Sequence, residues 1–328
     1  MITRPTNDEL QRLLHDHDPS RQFTVAKRDK LDQNPFAYLE KVFFEEDPHY
    51  PYVLKSVVPY FQNELVVHEF VNSYPINAAN LFFRYTDPQH SMSFLVMDWV
   101  DITGIYQYPS DEAEGYYYEA AAKLADLHVH SHKKWKHLRK KHVRSYGTQH
   151  YQKVIIPNVK SRLRELSEEE NGSTLLSLDL VEAFENSIDA TLKMFDPFKK
   201  TKLALCHGDF DIGNLFVTPE EEVVAIDWGM GHLDAPMIDI AQLVNCLGDF
   251  SISVRRDIFS EYFEAAQKLY PKKIEPHFIR VVGTLMHILY FLDFQLYAVN
   301  EMVEPSFFLQ QIHDRVEKLV NLLKTDYS

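Results

Sequence analysis

The chain has 328 residues, of which 45% are apolar and 13% aromatic, so it is long enough to bury one large hydrophobic core or two moderate ones. This composition excludes a small fold that depends on disulfides or structural metal ions. The net charge is −14, from 34 basic and 48 acidic residues, and such a charge disfavours binding to nucleic acid phosphates or anionic lipid. We therefore expect no nucleic-acid partner and no membrane partner.

The cysteines and apolar runs are typical of a cytoplasmic protein. The two cysteines, Cys206 and Cys246, allow one disulfide at most, which favours a reducing compartment. We expect no N-terminal secretory signal, because the first residues lack a basic start followed by an apolar run. The apolar run Val281–Leu292 spans 12 residues, fewer than the ~18 that a membrane-spanning helix needs, and so predicts a buried core helix.

The first hundred residues alternate apolar runs with turn-forming residues, which is the pattern of a β-sheet. The runs predict strands at 21–26, 36–44, 52–58, 81–85 and 93–100. One helix is expected after the third strand, because Phe61, Leu65 and His68 recur at helical spacing up to Val71. The sequence therefore predicts a sheet-rich part with one helix.

Helical periodicity dominates from Ser110 onward, where Asp111 and Glu112 suit a helix N-terminus. Further helices are predicted at 154–166, 176–195, 254–270, 274–299 and 307–323. The last of them carries an apolar stripe, which predicts packing into a core rather than a cofactor or partner site. The stripe consists of Phe308, Ile312, Val316, Leu319 and Leu323.

Three short strands interrupt the helical half, and polar residues cluster at their ends. The strands are predicted at 203–206, 214–217 and 223–226. Asp209 follows the first strand, Asn214 opens the second and Asp227 ends the third. Phosphoryl transfer needs one carboxylate to orient a hydroxyl and accept its proton, and two oxygen ligands for magnesium. The alternative is that Asp209 and Asp227 accept hydrogen bonds from nearby backbone amides without a catalytic role.

The segment from His207 to Asp209 with Asn214, and the pair Asp227-Trp228, resemble the aminoglycoside phosphotransferase and choline kinase family. These are small-molecule relatives of the protein kinases. The resemblance implies that Asp209 is the catalytic base, that Asn214 and Asp227 bind magnesium, and that His207 supports the catalytic loop. Trp228 stands where protein kinases carry the phenylalanine of their metal motif. Five such residues at this spacing make a specific signal.

The segment 234–241 resembles the family's helix-opening segment, whose second aspartate braces the catalytic loop. That residue is Asp239 in this chain. A helix N-cap explains Asp239 nearly as well, so both interpretations stay open.

The resemblance also implies that the sheet-rich part binds the nucleotide. Lys55, inside an otherwise apolar strand, resembles the lysine that contacts the α and β phosphates; the alternative is a lysine that protects a sheet edge. Its partner would be a glutamate on the following helix. Glu64 fits the family pattern, but Glu69 remains possible because helical periodicity alone does not choose between them.

The last predicted strand of this part resembles the linker whose backbone binds the adenine edge. Met97 would line the purine pocket, and the backbone of Asp98, Trp99 and Val100 would form the hydrogen bonds. The alternative is an ordinary buried strand.

Two segments depart from the family pattern or stand outside it. The phosphate-covering loop is expected at 28–38, which contains no glycine, although small residues there let backbone amides approach the phosphates. The segment 128–144 is rich in histidine and in basic residues. His128 and His132, one helical turn apart, could bind zinc, but a solvated basic face is favoured.

These observations predict an α+β fold of the protein-kinase-like, bilobal type. Residues 1–100 would form a nucleotide-binding lobe with an antiparallel sheet and one helix, and residues 101–328 a larger helical lobe with the catalytic loop, the metal ligands and the acceptor pocket. The predicted activity is magnesium-dependent phosphorylation of a small-molecule hydroxyl by ATP or GTP, with an amine-bearing acceptor favoured by the charge. The alternative function is that of a catalytically silent scaffold. The oligomeric state stays open.

Overall fold

The computed structural model describes residues 2–33, 36–58, 61, 63–87, 92–168, 176–272, 274–301 and 305–325. Its strands are β1 (Val25–Gln33), β2 (Ala37–Phe44), β3 (Asp47–Val57), β4 (Leu81–Asp87), β5 (Met92–Asp98), β6 (Thr103–Gly104), β7 (Ala204–Cys206), β8 (Leu215–Val217), β9 (Val223–Ala225) and β10 (His232–Asp234). Its α-helices are α1 (Asn7–His17), α2 (Asn63–Val71), α3 (Ser110–Lys140), α4 (Thr148–His150), α5 (Ile156–Glu168), α6 (Leu178–Thr191), α7 (Met237–Cys246), α8 (Ile252–Ala266), α9 (Pro276–Glu301) and α10 (Pro305–Thr325).

The chain forms two compact units, each built from several segments. The first unit comprises Met1–Lys123, Lys140–Val143 and Ile212–His232. The second unit comprises Leu124–Arg139, Arg144–Asp211 and Leu233–Ser328. The predicted assignment of nucleotide binding to residues 1–100 stays a prediction.

An antiparallel sheet of order β1-β2-β3-β5-β4 forms the main layer of the first unit. Lys55 lies on β3, opposite Leu39 of β2 and Leu95 of β5. Because β3 is paired on both sides, Lys55 does not protect a sheet edge, and that alternative is wrong. A second, three-stranded sheet of order β6-β8-β9 contains the predicted hairpin, with Leu215 opposite Ala225.

The structure contains an N-terminal helix, α1, that the sequence analysis did not predict. Only one helix was expected in the first hundred residues. Thr6 and Glu9 form a capping box at its start, and this arrangement satisfies free amide groups of the first turn. Leu10 and Leu14 are fully buried and join a core cluster with residues of the sheet, including Phe44. A T-x-x-E pattern followed by leucines at helical spacing is the signal that sequence reasoning missed.

The first strand also begins later than predicted, at Val25 rather than at residue 21. Most of the segment 28–38, expected to be the phosphate-covering loop, is therefore paired in β1 and β2, with Gln33 opposite Tyr38. The sequence pattern did not predict β1 over this range, because the strand contains many polar and few apolar residues. Most of its side chains are not buried, so the strand does not need regularly spaced apolar residues. Asn34 and Pro35 lie outside the described residues.

Helix α7 is the buried centre of the second unit, and every residue from Met237 to Val244 is buried. It packs against α9 at Gly283, where an added Cβ would lie 2.3 Å from the carbonyl oxygen of Met237. Glycine is needed at this close approach, since no other residue lacks a Cβ. Asn245 on α7 also donates to the Thr284 hydroxyl on α9 at 2.8 Å.

Helix α9 is longer than its apolar run suggested. Its stretch Pro276–Val299 is long and apolar enough to cross a membrane by length and composition, but 78% of the tested window is buried inside the protein. That burial is typical of the core helix of a soluble protein, as the sequence predicted. The stripe on α10 is buried as well, with Ile312, Val316 and Leu319 fully inaccessible.

Candidate active site

In the first unit, Lys55 links two carboxylates. Its Nζ donates to Glu64 Oε1 at 2.6 Å and to Asp227 Oδ1 at 2.7 Å. Lys55 and Glu64 are buried, whereas the Asp227 side chain is 53% exposed. Burial alone would lower the pKa of Lys55, but the Asp227 and Glu64 carboxylates outweigh it and raise that pKa above its usual value. The ammonium group therefore stays charged.

The other candidate partner of Lys55, Glu69, faces elsewhere. Its carboxylate pairs with Arg84 at 3.0 Å and with Lys141 at 3.1 Å, on the surface. Glu64 therefore is the partner of Lys55. In the first turn of α2, Asn63 also donates to the carbonyl oxygen of Gly231.

Asp227 has a backbone conformation that non-glycine residues rarely adopt. Its φ and ψ are 60° and 66°, in the left-handed region. The side chain accepts a hydrogen bond from the N–H of Gly229 at 3.4 Å, and the following Trp228 is fully buried. Such strained residues persist where the surrounding structure holds them, and they concentrate at functional sites.

The predicted nucleotide and magnesium residues of this unit line one cavity of about 890 Å³. They are Lys55, Glu64, Met97, Asp98, Trp99, Val100, Asn214 and Asp227. The carbonyl oxygen of Asn214 accepts from the N–H of Ile226 at 3.1 Å, so the hairpin holds Asn214 across from the residue that precedes Asp227. A cavity of this size accommodates a ligand as large as a nucleotide.

The backbone donors at the end of β5 are partly used within the protein. The N–H of Asp98 donates to Asn80 and that of Trp99 to Pro51, at 3.0 and 3.3 Å. Among the described residues, no carbonyl oxygen accepts a hydrogen bond from the N–H of Val100. Of the three backbone donors that the sequence indicated, the N–H of Val100 is the one left for a ligand.

In the second unit, Asp239 is fully buried and accepts three hydrogen bonds. Its Oδ2 accepts from the N–H of His207 at 2.7 Å, and its Oδ1 from the N–H of Gly208 at 2.9 Å. His128 Nε2 lies 3.1 Å from Oδ2. Burial would raise the pKa of Asp239, but the hydrogen bond and charge of His128, the charge of His207 and the Gly208 amide lower it below its usual value.

His128 is part of this buried network and not of a zinc site with His132. Its Nδ1 lies 2.8 Å from the Tyr262 hydroxyl, which is 3.2 Å from that of Tyr270. His132 Nδ1 instead contacts the carbonyl oxygen of Leu203 at 3.0 Å. The Sγ atom of Cys206 lies within 4.8 Å of ligand atoms of His128 and Asp239, and burial raises the pKa of this thiol.

Asp209 follows Gly208, which has a φ of 81°, and is half-buried. Gln242 Nε2 donates to Asp209 Oδ1 at 2.8 Å, and the N–H of Asp209 donates to His207 Nδ1 at 3.3 Å. Sequence reasoning missed Gln242. The available signal was its position three residues after Asp239, which puts both side chains on the same face of α7.

The model of the family described as "Phosphotransferase enzyme family" matches residues 38–272, more than two thirds of the chain. The chain belongs to this phosphotransferase family. The predicted family and enzyme class are thereby confirmed, and the protein is a small-molecule phosphotransferase. No match was found among the curated proteins.

Solved structures show that this phosphotransferase has the predicted protein-kinase-like α+β fold. A choline kinase, LicA from Streptococcus pneumoniae, is 15% identical with a TM-score of 0.64, covering 96% of this chain and 99% of that one. A putative aminoglycoside phosphotransferase from Ralstonia eutropha is 14% identical with a TM-score of 0.65, covering 98% and 99%. The spectinomycin phosphotransferase APH(9)-Ia, solved with ADP and spectinomycin, is 12% identical with a TM-score of 0.62, covering 98% and 99%.

Proposed function

We propose that this phosphotransferase is a cytoplasmic enzyme that transfers the γ-phosphate of ATP to a hydroxyl group of a small molecule, with magnesium as the metal. The observation that carries the proposal is the Lys55 ammonium, held at 2.6 and 2.7 Å from Glu64 and Asp227 inside a nucleotide-sized cavity. A fixed cation beside an exposed carboxylate suits a ligand that brings both phosphates and a metal ion.

The donor set fits magnesium. Asn214 and Asp227 offer amide and carboxylate oxygens, which are the ligands that this hard cation prefers. Both residues line the cavity, and the half-exposed Asp227 carboxylate is accessible from it. When bound, magnesium would neutralise negative charge on the phosphates.

The protein residues have separate tasks in the proposed step. Lys55 binds the α and β phosphates, and Asp209, oriented by Gln242, accepts the proton of the acceptor hydroxyl. The hydroxyl oxygen forms a bond to the γ-phosphorus while the bond from that phosphorus to the bridging oxygen breaks, and ADP leaves. Asp239 keeps the catalytic loop in place through the His207 and Gly208 amides. No covalent enzyme intermediate is needed.

ATP is the proposed donor and GTP the alternative. The structure of LicA was solved with AMP, that of APH(9)-Ia with ADP, and an APH(2")-type enzyme with GDP and kanamycin. We propose that the adenine edge lies against the strand end from Asp98 to Val100, with Met97 lining the purine pocket.

The test is a screen of small hydroxyl compounds with ATP and with GTP, in which transfer of labelled γ-phosphate is measured. The panel includes amine-bearing alcohols, because a net charge of −14 attracts cations at long range. Transfer that requires magnesium and disappears in Asp209→Ala supports the proposal. Nucleotide binding without phosphate transfer to any acceptor of the panel would contradict the proposal.

A further inference from the structure

A second cavity, of about 640 Å³, lies in the second unit between three helices. Val244, near the end of α7, lines it together with residues from the N-terminal parts of α8 and α9. Helix α7 packs against both of these helices. The cavity is large enough for a small organic ligand, because such sites typically measure about 300–1,000 Å³.

This cavity lies on the side of α7 that faces away from the catalytic loop. Gln242 of α7 donates to Asp209, and Val244 follows Gln242 by two residues, which is about 200° around the helix. None of the residues proposed above for catalysis, nucleotide binding or metal binding lines the cavity. The cavity is therefore separate from the catalytic loop.

The ionisable side chains that line the cavity are all basic. Three are arginines, Arg255, Arg256 and Arg280, and His277 adds an imidazole. Among the described residues, no carboxylate lines it. In a chain with a net charge of −14, a cavity wall that carries basic groups without acidic ones favours an anionic ligand.

Two of these arginines have no carboxylate partner in the described part of the chain. Arg256 is exposed and contacts Asp257 at 3.4 Å, whereas Arg255 and Arg280 are half-buried and form no ion pair there. The Nε atom of Arg255 is buried and has no hydrogen-bond partner among the same residues. A buried donor without an acceptor is unfavourable, and a ligand that accepts from Arg255 would remove this cost.

Apolar side chains form another part of the wall. Phe259, one helical turn after Arg255 on α8, is buried, as is Val244 of α7. Ile252, the first residue of α8, is 77% exposed, and all three apolar residues line the cavity. Apolar surface beside a few polar groups is typical of sites for small organic ligands. The cavity therefore suits a ligand with an apolar body and an anionic group.

Two helices begin at this cavity. Helix α8 begins at Ile252 and α9 at Pro276, and both residues line it. The backbone N–H groups at a helix N-terminus carry partial positive charge and bind anions, phosphate among them. The backbone thus adds to the positive charge of the arginines.

We propose that this cavity binds a phosphate monoester with an apolar body. Guanidinium groups match phosphate oxygens in paired, charge-assisted hydrogen bonds. A phosphate monoester carries a charge of about −1.5 to −2 at pH 7 and offers three acceptor oxygens, so it can engage more of these donors than a carboxylate can. The apolar body packs against Phe259 and Val244. The site is independent of the proposed transfer reaction.

The test is calorimetric titration of the protein with four small compounds: phenyl phosphate, inorganic phosphate, phenylacetate and benzyl alcohol. Inorganic phosphate lacks the apolar body, benzyl alcohol lacks the charge, and phenylacetate replaces the phosphate by a carboxylate. We expect phenyl phosphate to bind at least about tenfold more tightly than each of the others. Its affinity should be the same with and without ADP and magnesium, because the cavity contains none of the proposed nucleotide-binding residues.

Variants assign the binding to the cavity. Arg255→Gln and Arg280→Gln should each weaken phenyl phosphate binding at least about tenfold, as for the loss of a charge-assisted hydrogen bond, and Arg255→Lys should keep part of the affinity. Arg139→Gln is the matched control, because it removes the same charge from an exposed side chain of α3 outside the cavity; affinity should stay within about twofold. Thermal unfolding confirms that each variant is folded.

The proposal is overturned if phenyl phosphate does not bind at millimolar concentrations or if ADP competes with it. It is also overturned if any of the other three compounds binds as tightly, or if Arg139→Gln weakens binding as much as Arg255→Gln does. These results leave the proposed phosphate transfer standing, since that reaction is measured with ATP and an acceptor and uses other residues.

Discussion

Asp227 of the first unit and Asp239 of the second are both paired aspartates, but their surroundings differ. Asp227 is 53% exposed, has a left-handed backbone, and contacts Lys55 at the wall of a cavity. Asp239 is fully buried, accepts hydrogen bonds from the backbone N–H groups of His207 and Gly208, and lies in contact with His128. Burial therefore distinguishes the two carboxylates. The exposed carboxylate of Asp227 is accessible to a ligand, whereas the buried carboxylate of Asp239 holds the loop that carries Asp209.

The largest effect on stability is expected from Asp239. In Asp239→Ala, two amides and a histidine lose their buried partner, so unfolding free energy should fall by about 3–5 kcal/mol, measured by chemical denaturation. Asp189→Ala is the control, since Asp189 is 54% exposed and pairs with Lys160; it should cost about 1 kcal/mol or less. Equal losses would contradict the bracing role.

A smaller effect should follow from disturbing the contact that positions α7. Gly283→Ala would put a Cβ 2.3 Å from the Met237 carbonyl oxygen, and overpacking of this kind costs about 1–3 kcal/mol. Gly115→Ala is the matched control on α3, where an added Cβ meets nothing within 4 Å; it should stabilise by about 0.5–1 kcal/mol. Thermal unfolding of both variants tests whether α7 is held rigidly.

In the first unit, two glutamates on the same helix should differ in their effect on nucleotide binding. Glu64→Gln weakens the buried partner of Lys55, so ATP affinity should fall by about tenfold, or about 1.4 kcal/mol. Glu69→Gln removes a carboxylate that pairs with Arg84 and Lys141 on the surface, and ATP affinity should stay within about twofold of the wild type. Calorimetric titration with ATP measures both affinities. A larger loss of affinity in Glu69→Gln than in Glu64→Gln would contradict a functional role for the pairing of Lys55 with Glu64.

The smallest effect concerns acid stability. Because the pKa of Asp239 is lowered from 3.8 in the folded protein, its stabilising contribution is complete above about pH 4 and is lost as the pH falls through the lowered value. Asp239→Asn removes this titration, so unfolding free energy should fall less steeply below pH 4, by at most about 1.4 kcal/mol per pH unit. An unchanged acid slope would show that other carboxylates dominate.

Sequence patterns predicted the strands that pair on both sides and the helices with a continuous apolar face, because burial imposes a period on them. They missed α1, whose capping box precedes only a short leucine pattern, and misplaced β1, whose side chains are largely exposed. The family resemblance pointed to Lys55, Asn214 and Asp227, and all three line one cavity. Gln242 was missed because its partner Asp209 lies 33 residues away in the sequence, and only the fold brings α7 and this loop together.

The central claim is tested most directly by magnesium-dependent binding of a nonhydrolysable ATP analogue to the wild type and to two single variants. Asp227→Ala should lose magnesium-dependent binding, because a proposed metal ligand is removed. Asp209→Ala should bind the analogue with nearly wild-type affinity, while its rate of phosphate transfer from ATP falls by about a thousandfold or more. Equal loss of nucleotide affinity in both variants would contradict the assigned roles.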